Sequence, residues 1–291
     1  MKWPNNSKFA VFLSHDVDRV KKSWFQALYY FFKQRRLYHL LTLFHKRNAY
    51  WNFDIIMDIE RKYDIRSTFF FLNESLQFDL FKPYQWKLSL GRYKIQDKQI
   101  RDIILKLDKE GWEIGVHGSY KSYANSEMLA REKKDLELIL GKKIDGIRQH
   151  YLNLVIPETW RLQKEAGFQY DASFGFADQI GFRDEKYHPF FPFNDNFLVL
   201  PLAIMDSCLL SKENPWEACR ELINLAEARK GLLSIVWHNK VFYDSEFPGY
   251  ATIYEQIIME CKKRNAWFAC GSDIVNLISE MGWEKCTDQQ K

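Results

Sequence analysis

Two carboxylates, Asp16 and Asp18, follow a short apolar run near the start of the chain. The run covers residues 9–13 and predicts a buried strand that ends at a polar cluster. Side chains two residues apart on an extended chain point the same way, so the two carboxylates would lie side by side. Paired carboxylates repel each other unless a cation or a shared proton relieves them. The motif therefore indicates a divalent-metal site or, alternatively, an Asx turn that closes the strand.

Further residues that could bind a metal or transfer a proton follow three other apolar runs. They are His117, Arg148 with His150, and His238. A single histidine at a strand end is more often structural than functional, but a set on successive strands is hard to ascribe to chance. Carboxylate and imidazole groups around an open position for water are what a hydrolytic Zn²⁺ site requires.

The elements that must position these residues alternate between strand and helix. Predicted strands cover 9–13, 67–72, 112–116, 144–147, 168–174, 198–204, 232–237 and 266–270. Predicted helices cover 50–63, 96–110, 126–140, 157–166, 215–229, 250–264 and 272–281, with Ser126 and Ser272 as N-caps. About seven β–α repeats without a linker predict a single-domain α/β protein, a distorted (β/α)7-type parallel barrel over residues 1–291. Such a barrel gathers all its strand ends at one mouth.

The segment after the first strand departs from this alternation. Aromatic residues between 24 and 44 recur at helical spacing and are interrupted by basic residues. We expect two helices or one kinked helix, inside a helical insertion that covers residues 20–65. This segment would either pack on the core as a lid or rest on a membrane surface as a basic amphipathic helix.

Composition limits the class of protein. The 291 residues are 46% hydrophobic, and the net charge of +4 gives no strong case for nucleic acid. Five cysteines, an odd number without a CxxC motif, indicate neither a disulfide framework nor a cysteine zinc site. The first residues lack the apolar core of a signal peptide, and no run of about 18 apolar residues occurs. We therefore expect a cytoplasmic location, and a frayed polar tail from Glu284.

Taken in order, the motifs resemble those of the polysaccharide deacetylase family, also called the NodB-homology or carbohydrate esterase 4 fold. The resemblance covers about residues 8–280. Its parts are Ser14-His15-Asp16-Val17-Asp18, Ser67-Thr68-Phe69-Phe70-Phe71, Gly111-Trp112-Glu113-Ile114-Gly115-Val116-His117, Arg148, Tyr170-Asp171-Ala172-Ser173 and Val236-Trp237-His238.

The resemblance implies roles for five residues. Asp16 resembles the general base that takes a proton from the attacking water, and His238 resembles the general acid that protonates the leaving amine or alcohol. Asp18 and His117 resemble metal ligands, and Arg148 resembles the arginine that pairs with the base carboxylate. The implied cofactor is a divalent metal, Zn²⁺ first, which would polarise the acetyl carbonyl.

The chain departs from the family at one metal ligand. The family places a second histidine four residues after the first, and Lys121 occupies that position here. A lysine ammonium is a poor ligand because it has no lone pair to offer. We expect His150 to supply the third ligand instead. The competing hypothesis is that Lys121 replaces the metal charge in a metal-free site.

Five residues are candidates for contact with a substrate: Arg183, Ser119, Tyr120, Asp206 and Lys121. Arg183 would bind an anionic substrate group or the base carboxylate, or else form a surface salt bridge. Ser119 and Tyr120 would donate hydrogen bonds to the substrate. Asp206 would orient His238 or cap a turn.

These observations predict a metal-dependent hydrolase that removes an acetyl group, N-acetyl first, from a sugar of a surface-polysaccharide precursor. Its partners would be that acetylated sugar or precursor and, through residues 24–44, the inner face of a membrane, but not nucleic acid. Two alternatives stay open. One is a catalytically silent carbohydrate-binding or scaffold protein, which Lys121 favours, and the other is a hydrolase of another C–N amide bond.

Overall fold

The apolar run that begins at Phe9 leads into the first strand of the structure, β1 (Ala10–Val17), and every residue of this strand is buried. The strand is longer than its apolar run predicted, because its polar residues have buried partners. The Ser14 hydroxyl donates to the carbonyl oxygen of Ile235 at 2.9 Å, and His15 lies 2.9 Å from Glu60 Oε1. The prediction that the strand ends before Ser14 is therefore wrong, and Asp16 lies within it.

The structure is a computed structural model and describes residues 1–281 except 36, 43–47, 75–78, 83–85, 87, 90 and 194. In this part of the chain the remaining strands are β2 (Thr68–Leu72), β3 (Glu113–Gly118), β4 (Gly146–Gln149), β5 (Tyr170–Asp171), β6 (Leu198–Val199), β7 (Ile204–Met205), β8 (Leu232–Val236) and β9 (Trp267–Phe268). They pair in parallel in the order β6-β5-β4-β3-β2-β1-β8-β7, and β9 pairs with β1. The result is a curled, open parallel barrel, as the β–α alternation predicted.

One predicted strand is divided in two. Residues 198–204 form β6 and β7, which lie at opposite ends of the sheet order. Pro201 lies between them, and proline cannot donate a hydrogen bond to a strand ladder. The neighbouring amides of Leu200 and Leu202 donate to Asp171 and Phe174. Residues 200–203 therefore connect the two edge strands, β6 and β7, without pairing in the sheet.

Helices cover the outside of the sheet, as predicted. They are α1 (Trp24–Gln34), α2 (Tyr38–Leu41), α3 (Phe53–Lys62), α4 (Lys98–Lys109), α5 (Ser126–Leu140), α6 (Glu158–Glu165), α7 (Asp206–Leu209), α8 (Pro215–Arg229), α9 (Tyr250–Lys263) and α10 (Gly271–Met281). The N-cap of α5 is Asn125, whose side chain accepts from the Met128 amide at 2.9 Å, and not the predicted Ser126. Ser272 lies inside α10 and not before it.

The described residues between 24 and 44 form two helices, α1 and α2, as expected. A capping box between Ser23 and Gln26 begins α1, and Arg35 in the left-handed region (φ 52°) ends it. Outward-facing aromatic side chains of α1 include Trp24, Tyr29 and Phe32, which are 56, 58 and 72% exposed. Residues 43–44 of the proposed membrane-contact segment lie outside the described residues, as does the predicted polar tail. No described helix is both long enough and apolar enough to cross a bilayer.

Aromatic packing fills the barrel interior. Tyr170 is fully buried there, and a Cβ atom added at Gly146 would lie 2.1 Å from its ring. A Cβ atom added at Gly271 would lie 2.2 Å from the same ring. Only glycine therefore fits at these two positions. The barrel interior is a packed core, so a site can lie only at the mouth, where the strands end.

Candidate metal centre and active site

Three candidate metal ligands converge where β1, β3 and β4 end. One donor atom from each of Asp18, His117 and His150 lies within 4.8 Å of the other two. His117 Nε2 is 3.2 Å and His150 Nε2 is 3.5 Å from Asp18 Oδ1. Zinc bonds of about 2 Å place the donors around one ion about 3–4 Å apart, so these side chains need to move little to share a cation.

Strand pairing sets the positions of the two histidines. β3 and β4 pair with His117 opposite Arg148, and the His117 ring bonds across the pair to the Arg148 carbonyl oxygen at 2.9 Å. A carbonyl only accepts, so His117 Nδ1 carries the proton and Nε2 faces Asp18. His150 follows β4 directly, in a short 3₁₀ turn, two residues beyond Arg148.

The polar atoms of this cluster are poorly satisfied by the protein itself. Asp18 Oδ1 and His150 Nδ1 are buried and, within the described part of the chain, have no hydrogen-bond partner. A buried polar atom without a partner costs about 1–3 kcal/mol. A divalent cation at Asp18 Oδ1 would remove that cost for the carboxylate, and one carboxylate with two imidazoles is a donor set that suits zinc. The residues therefore fit a divalent metal.

The surroundings of Asp18 and His150 shift the pKa of each toward the form that binds a cation. Burial alone would raise the pKa of Asp18, but the contact with His117 and the charges of His238 and Lys240 lower it well below its usual value. Burial lowers the pKa of His150 well below its ordinary range. Asp18 is thus ionised and His150 is neutral, which are the forms that bind a metal.

His117 differs from His150 in its surroundings. Burial would lower its pKa, but the negative charges of Asp16 and Asp18 prevail and raise it. His117 Nε2 lies 3.8 Å from Asp16 Oδ2 as well as 3.2 Å from Asp18. Binding of a metal at Nε2 would therefore release a proton from this ring.

Asp16 is held beside the ligand cluster by Arg148. The Arg148 Nη1 group lies 3.2 Å from Asp16 Oδ1 and donates to the Ser14 hydroxyl at 2.8 Å, while Nε donates to the Ala172 carbonyl at 2.9 Å. Arg148 is fully buried and Asp16 is 4% exposed. The fixed guanidinium orients the carboxylate toward the mouth, so Asp16 can accept a proton there.

His238 lies on the other side of Asp18. Its Nε2 is 3.7 Å from Asp18 Oδ2, and its Nδ1 is 3.0 Å from the buried carboxylate of Asp206. Asp206 also accepts the His238 backbone amide at 2.7 Å. Burial would lower the pKa of His238, but Asp206 raises it to about 9. The ring is therefore protonated at neutral pH and can donate a proton.

The residues predicted to contact a substrate differ in how far they are exposed. Lys121 is exposed, and no carboxylate of the described chain lies within 4.0 Å of its ammonium. Ser119 is buried, and its hydroxyl donates to Glu132 at 2.5 Å, so it is not offered to a substrate as predicted. Tyr120 lies half-buried beside Tyr151, with ring centroids 5.7 Å apart.

Arg183 makes neither of the carboxylate contacts weighed for it. Its guanidinium lies 4.7 Å from the centre of the Phe174 ring and donates to the Gly175 carbonyl at 3.4 Å. No ion pair of Arg183 occurs within the described ranges. Phe174 and Phe190 are buried, so part of this aromatic loop packs in the core rather than lining a binding surface.

Two charged residues near the centre were not predicted. Lys240 Nζ lies 4.0 Å from Asp18 Oδ2, and Glu74 Oε2 lies 3.9 Å from His150 Nδ1. The position of Lys240, two residues after His238, was a usable signal. Glu74 follows β2 by two residues and was overlooked among the strand-end residues. Thus a lysine does lie beside the candidate ligands, but it is Lys240 and not Lys121.

His15 is a buried residue that joins β1 to its surroundings. Its Nδ1 lies 2.7 Å from the Trp237 carbonyl, and its Nε2 faces Glu60. Glu60 also accepts from Tyr254 at 2.8 Å and from Trp112 at 2.6 Å. This network lies behind β1 and ties it to α3, α9 and β8.

Comparison with known proteins supports the fold. No protein-family model and no curated protein matches the chain. A solved structure assigned as a polysaccharide deacetylase from Mycobacterium smegmatis is 18% identical, with a TM-score of 0.64 over 97% of this chain and 93% of its own. A probable polysaccharide deacetylase from Pseudomonas aeruginosa PAO1 is 13% identical, with a TM-score of 0.65 over 96% and 94%. Puue allantoinase is 16% identical, with a TM-score of 0.65 over 96% and 93%. The chain therefore has the polysaccharide deacetylase fold.

Proposed function

We propose that the protein is a metal-dependent hydrolase that removes an acetyl group, most simply an N-acetyl group, from a sugar. The observation that carries this proposal is the meeting of Asp18, His117 and His150 within 4.8 Å, next to a carboxylate and a protonated imidazole. Hydrolysis of an amide needs an activated water, a stabilised oxyanion and a proton for the leaving nitrogen. The proposed site has a group for each requirement.

The chain's own residues divide this work among them. A divalent metal bound by Asp18, His117 and His150 would act as a Lewis acid toward the acetyl carbonyl. Asp16 takes a proton from the attacking water, and Arg148 holds its carboxylate in place at 3.2 Å. His238 gives its proton to the leaving nitrogen, and Asp206 keeps that proton on the ring.

The two alternatives differ in what supports them. A silent binding protein was favoured by Lys121, but Lys121 is exposed and the candidate ligand set does not depend on it. A specific observation still favours hydrolysis of another C–N bond. The allantoinase resembles the chain as closely as the deacetylases do, with TM-scores of 0.65, 0.64 and 0.65. Fold alone therefore does not choose the amide.

Acetate release tests the proposal directly. Purified protein would be supplied with Zn²⁺ and incubated with N-acetylated amino sugars, and free acetate would be measured. We expect release by the wild type and a loss of at least about 100-fold for Asp16→Asn, since general-base catalysis contributes about 10²–10⁴-fold. Conversion of allantoin without acetate release would transfer the proposal to the other amide. If zinc-loaded protein hydrolyses neither the acetylated sugars nor allantoin, the remaining hypothesis is the catalytically silent binding protein.

A membrane-associated precursor is the substrate that we propose, at the inner face of the membrane. Residues 19–53 contain eight lysines and arginines and no acidic residue, in a chain whose net charge is +4. Arg19 and Lys22 are buried, and Lys22 is paired with Glu246, so these two do not contribute to an outer basic surface. The anionic cytoplasmic leaflet attracts such segments by about 1 kcal/mol per basic residue. The exposed Trp24, Tyr29 and Phe32 of α1 would supply the apolar contact. We also propose that residues 1–291 form a single catalytic domain in which residues 20–65 are a helical insertion, as the sequence predicts.

A further inference from the structure

The cation that the sequence did not predict, Lys240, occupies a defined place at the mouth. Its Nζ lies 4.0 Å from Asp18 Oδ2, and His238 Nε2 lies 3.7 Å from the same oxygen. The two nitrogens are therefore no more than about 7.7 Å apart, the sum of these distances. The ammonium thus lies close to the group proposed to protonate the leaving nitrogen.

The Lys240 ammonium is poorly satisfied where it lies. An ammonium carries three N–H donors. Only 26% of the Lys240 side chain is exposed, yet it makes no hydrogen bond to the described chain. Its contact with Asp18, at 4.0 Å, is an ion pair without a hydrogen bond. The donors are therefore available to an incoming oxyanion.

The backbone beside Lys240 is fixed by a buried amide. The Asn239 side chain is fully buried and donates to the carbonyl oxygens of Arg19 at 3.0 Å and Tyr50 at 2.9 Å. These bonds join the turn Asn239–Phe242 to the chain that follows β1. A lysine held on an anchored turn loses less freedom on binding a ligand than one on a mobile loop.

Two arginines add positive charge near Asp18. Arg92 Nη1 donates to the Asp18 carbonyl oxygen at 2.9 Å, and Arg19, the next residue in the chain, is 8% exposed. Asp18 is the one described carboxylate within 4.0 Å of Lys240. If a divalent cation neutralises Asp18, the charge of Lys240 is left for another anion.

We propose that Lys240 binds an oxyanion of the substrate, a phosphate or carboxylate carried on a sugar carbon next to the acetamido group. This inference rests on the proposed function, because it assigns the leaving nitrogen to His238. Substituents on adjacent sugar carbons are close enough to reach both His238 and Lys240. Lysine is a common phosphate ligand that acts as a point charge. The site is thereby selective for an anionic sugar over a neutral one.

Direct binding tests this selectivity without requiring turnover. Calorimetry on zinc-supplied protein would compare N-acetylglucosamine 1-phosphate, a hexuronic acid that carries its acetamido group on C4, next to the carboxylate-bearing C5, and the neutral methyl glycoside of N-acetylglucosamine. We expect at least one anionic sugar to bind about 10-fold or more tightly than the neutral one. Lys240→Met should remove that preference by weakening the anionic sugar about 10-fold more than the neutral one, and Lys240→Arg should keep most of the preference. The anionic sugar that binds more tightly than the neutral one shows whether Lys240 binds a phosphate or a carboxylate.

The control is Lys134→Met, since Lys134 is an exposed lysine of α5 that has no ion pair in the described chain. It should behave like the wild type, and circular dichroism would confirm that each variant is folded. Equal affinity of the wild type for anionic and neutral sugars, or an unchanged preference in Lys240→Met, would overturn the inference. Acetate release measured on the same samples separates the two proposals, because an anion preference without hydrolysis contradicts only the enzymatic one.

Discussion

His150 Nε2 lies 3.5 Å from Asp18 Oδ1, although β2 and β3 separate the strands that these residues follow. The contact brings an imidazole from the end of β4 beside Asp18, and His150 is the residue that we expect to act as third ligand because Lys121 follows His117 by four residues. It makes His150 the residue on which metal binding can be tested most directly.

We expect His150→Ala to lose metal. Removal of one of three protein ligands should weaken zinc binding by more than the 10–100-fold typical of outer-sphere partners. Elemental analysis of purified protein after dialysis measures the zinc content. Lys121→Ala is the matched control, since that side chain is exposed and should leave the zinc content unchanged. Stoichiometric zinc in His150→Ala would contradict the assignment.

We expect Asp206→Asn to narrow the pH range of activity. Asp206 raises the pKa of His238 to about 9, and the protonated ring is the proposed acid. Activity of the wild type should therefore decline as pH rises through about 9. Without the carboxylate the decline should move down toward the ordinary histidine pKa of about 6.5 or below.

The pH profile of acetate release, or an NMR titration of the His238 ring, measures this shift. Ser207→Ala serves as the control because Ser207 neighbours Asp206 and, among the described residues, its hydroxyl has a hydrogen-bond contact only with Cys208 Sγ, at 4.0 Å. An unchanged alkaline limb in Asp206→Asn would show that Asp206 does not set the protonation of His238.

We expect Glu60→Ala to destabilise the fold. Glu60 is fully buried and accepts from Tyr254 and Trp112, so its removal leaves two buried donors without their acceptor. At about 1–3 kcal/mol for each such group, the free energy of unfolding should fall by about 2 kcal/mol or more.

Denaturant unfolding measures this loss. Asp58→Ala, on the same helix, removes an exposed ion pair with Arg61 and should change stability by less than about 1 kcal/mol. Equal midpoints for the two variants would mean that the buried network contributes little.

We expect α1 to bind anionic vesicles. Replacing Trp24, Tyr29 and Phe32 by serine should weaken flotation with phosphatidylserine-containing vesicles by at least about 10-fold, because burying one such side chain contributes about 1.5–3 kcal/mol. Leu138→Ser, at a leucine that is 72% exposed on α5, is the control. If the wild type floats with neither anionic nor neutral vesicles, the membrane contact is wrong.

The placement of the strand-end residues was predictable because parallel strands bring their carboxyl ends to one mouth. His150 could be proposed as a ligand because it follows Arg148 by two residues. The extent of β1 was not predictable from hydropathy, since Ser14, His15 and Asp16 are buried only because distant partners satisfy them.

Other features depended on contacts that no local pattern carries. The hydroxyl of Ser119 is bonded to Glu132, thirteen residues later on α5. Lys240 reaches Asp18 because buried Asn239 ties its turn to the chain after β1. Such contacts join elements far apart in sequence, and periodicity reports only which face of an element is buried.

The bond between the His117 ring and the Arg148 carbonyl fixes the two strand ends relative to each other. It aligns the end of β4 with the end of β3, so a donor placed on either strand can reach the same point. For an ion held at that point, a ligand on β4 is geometrically equivalent to one on the segment after β3. Searches for distant relatives would do better to ask which side chains surround that point than to require a fixed spacing along one strand.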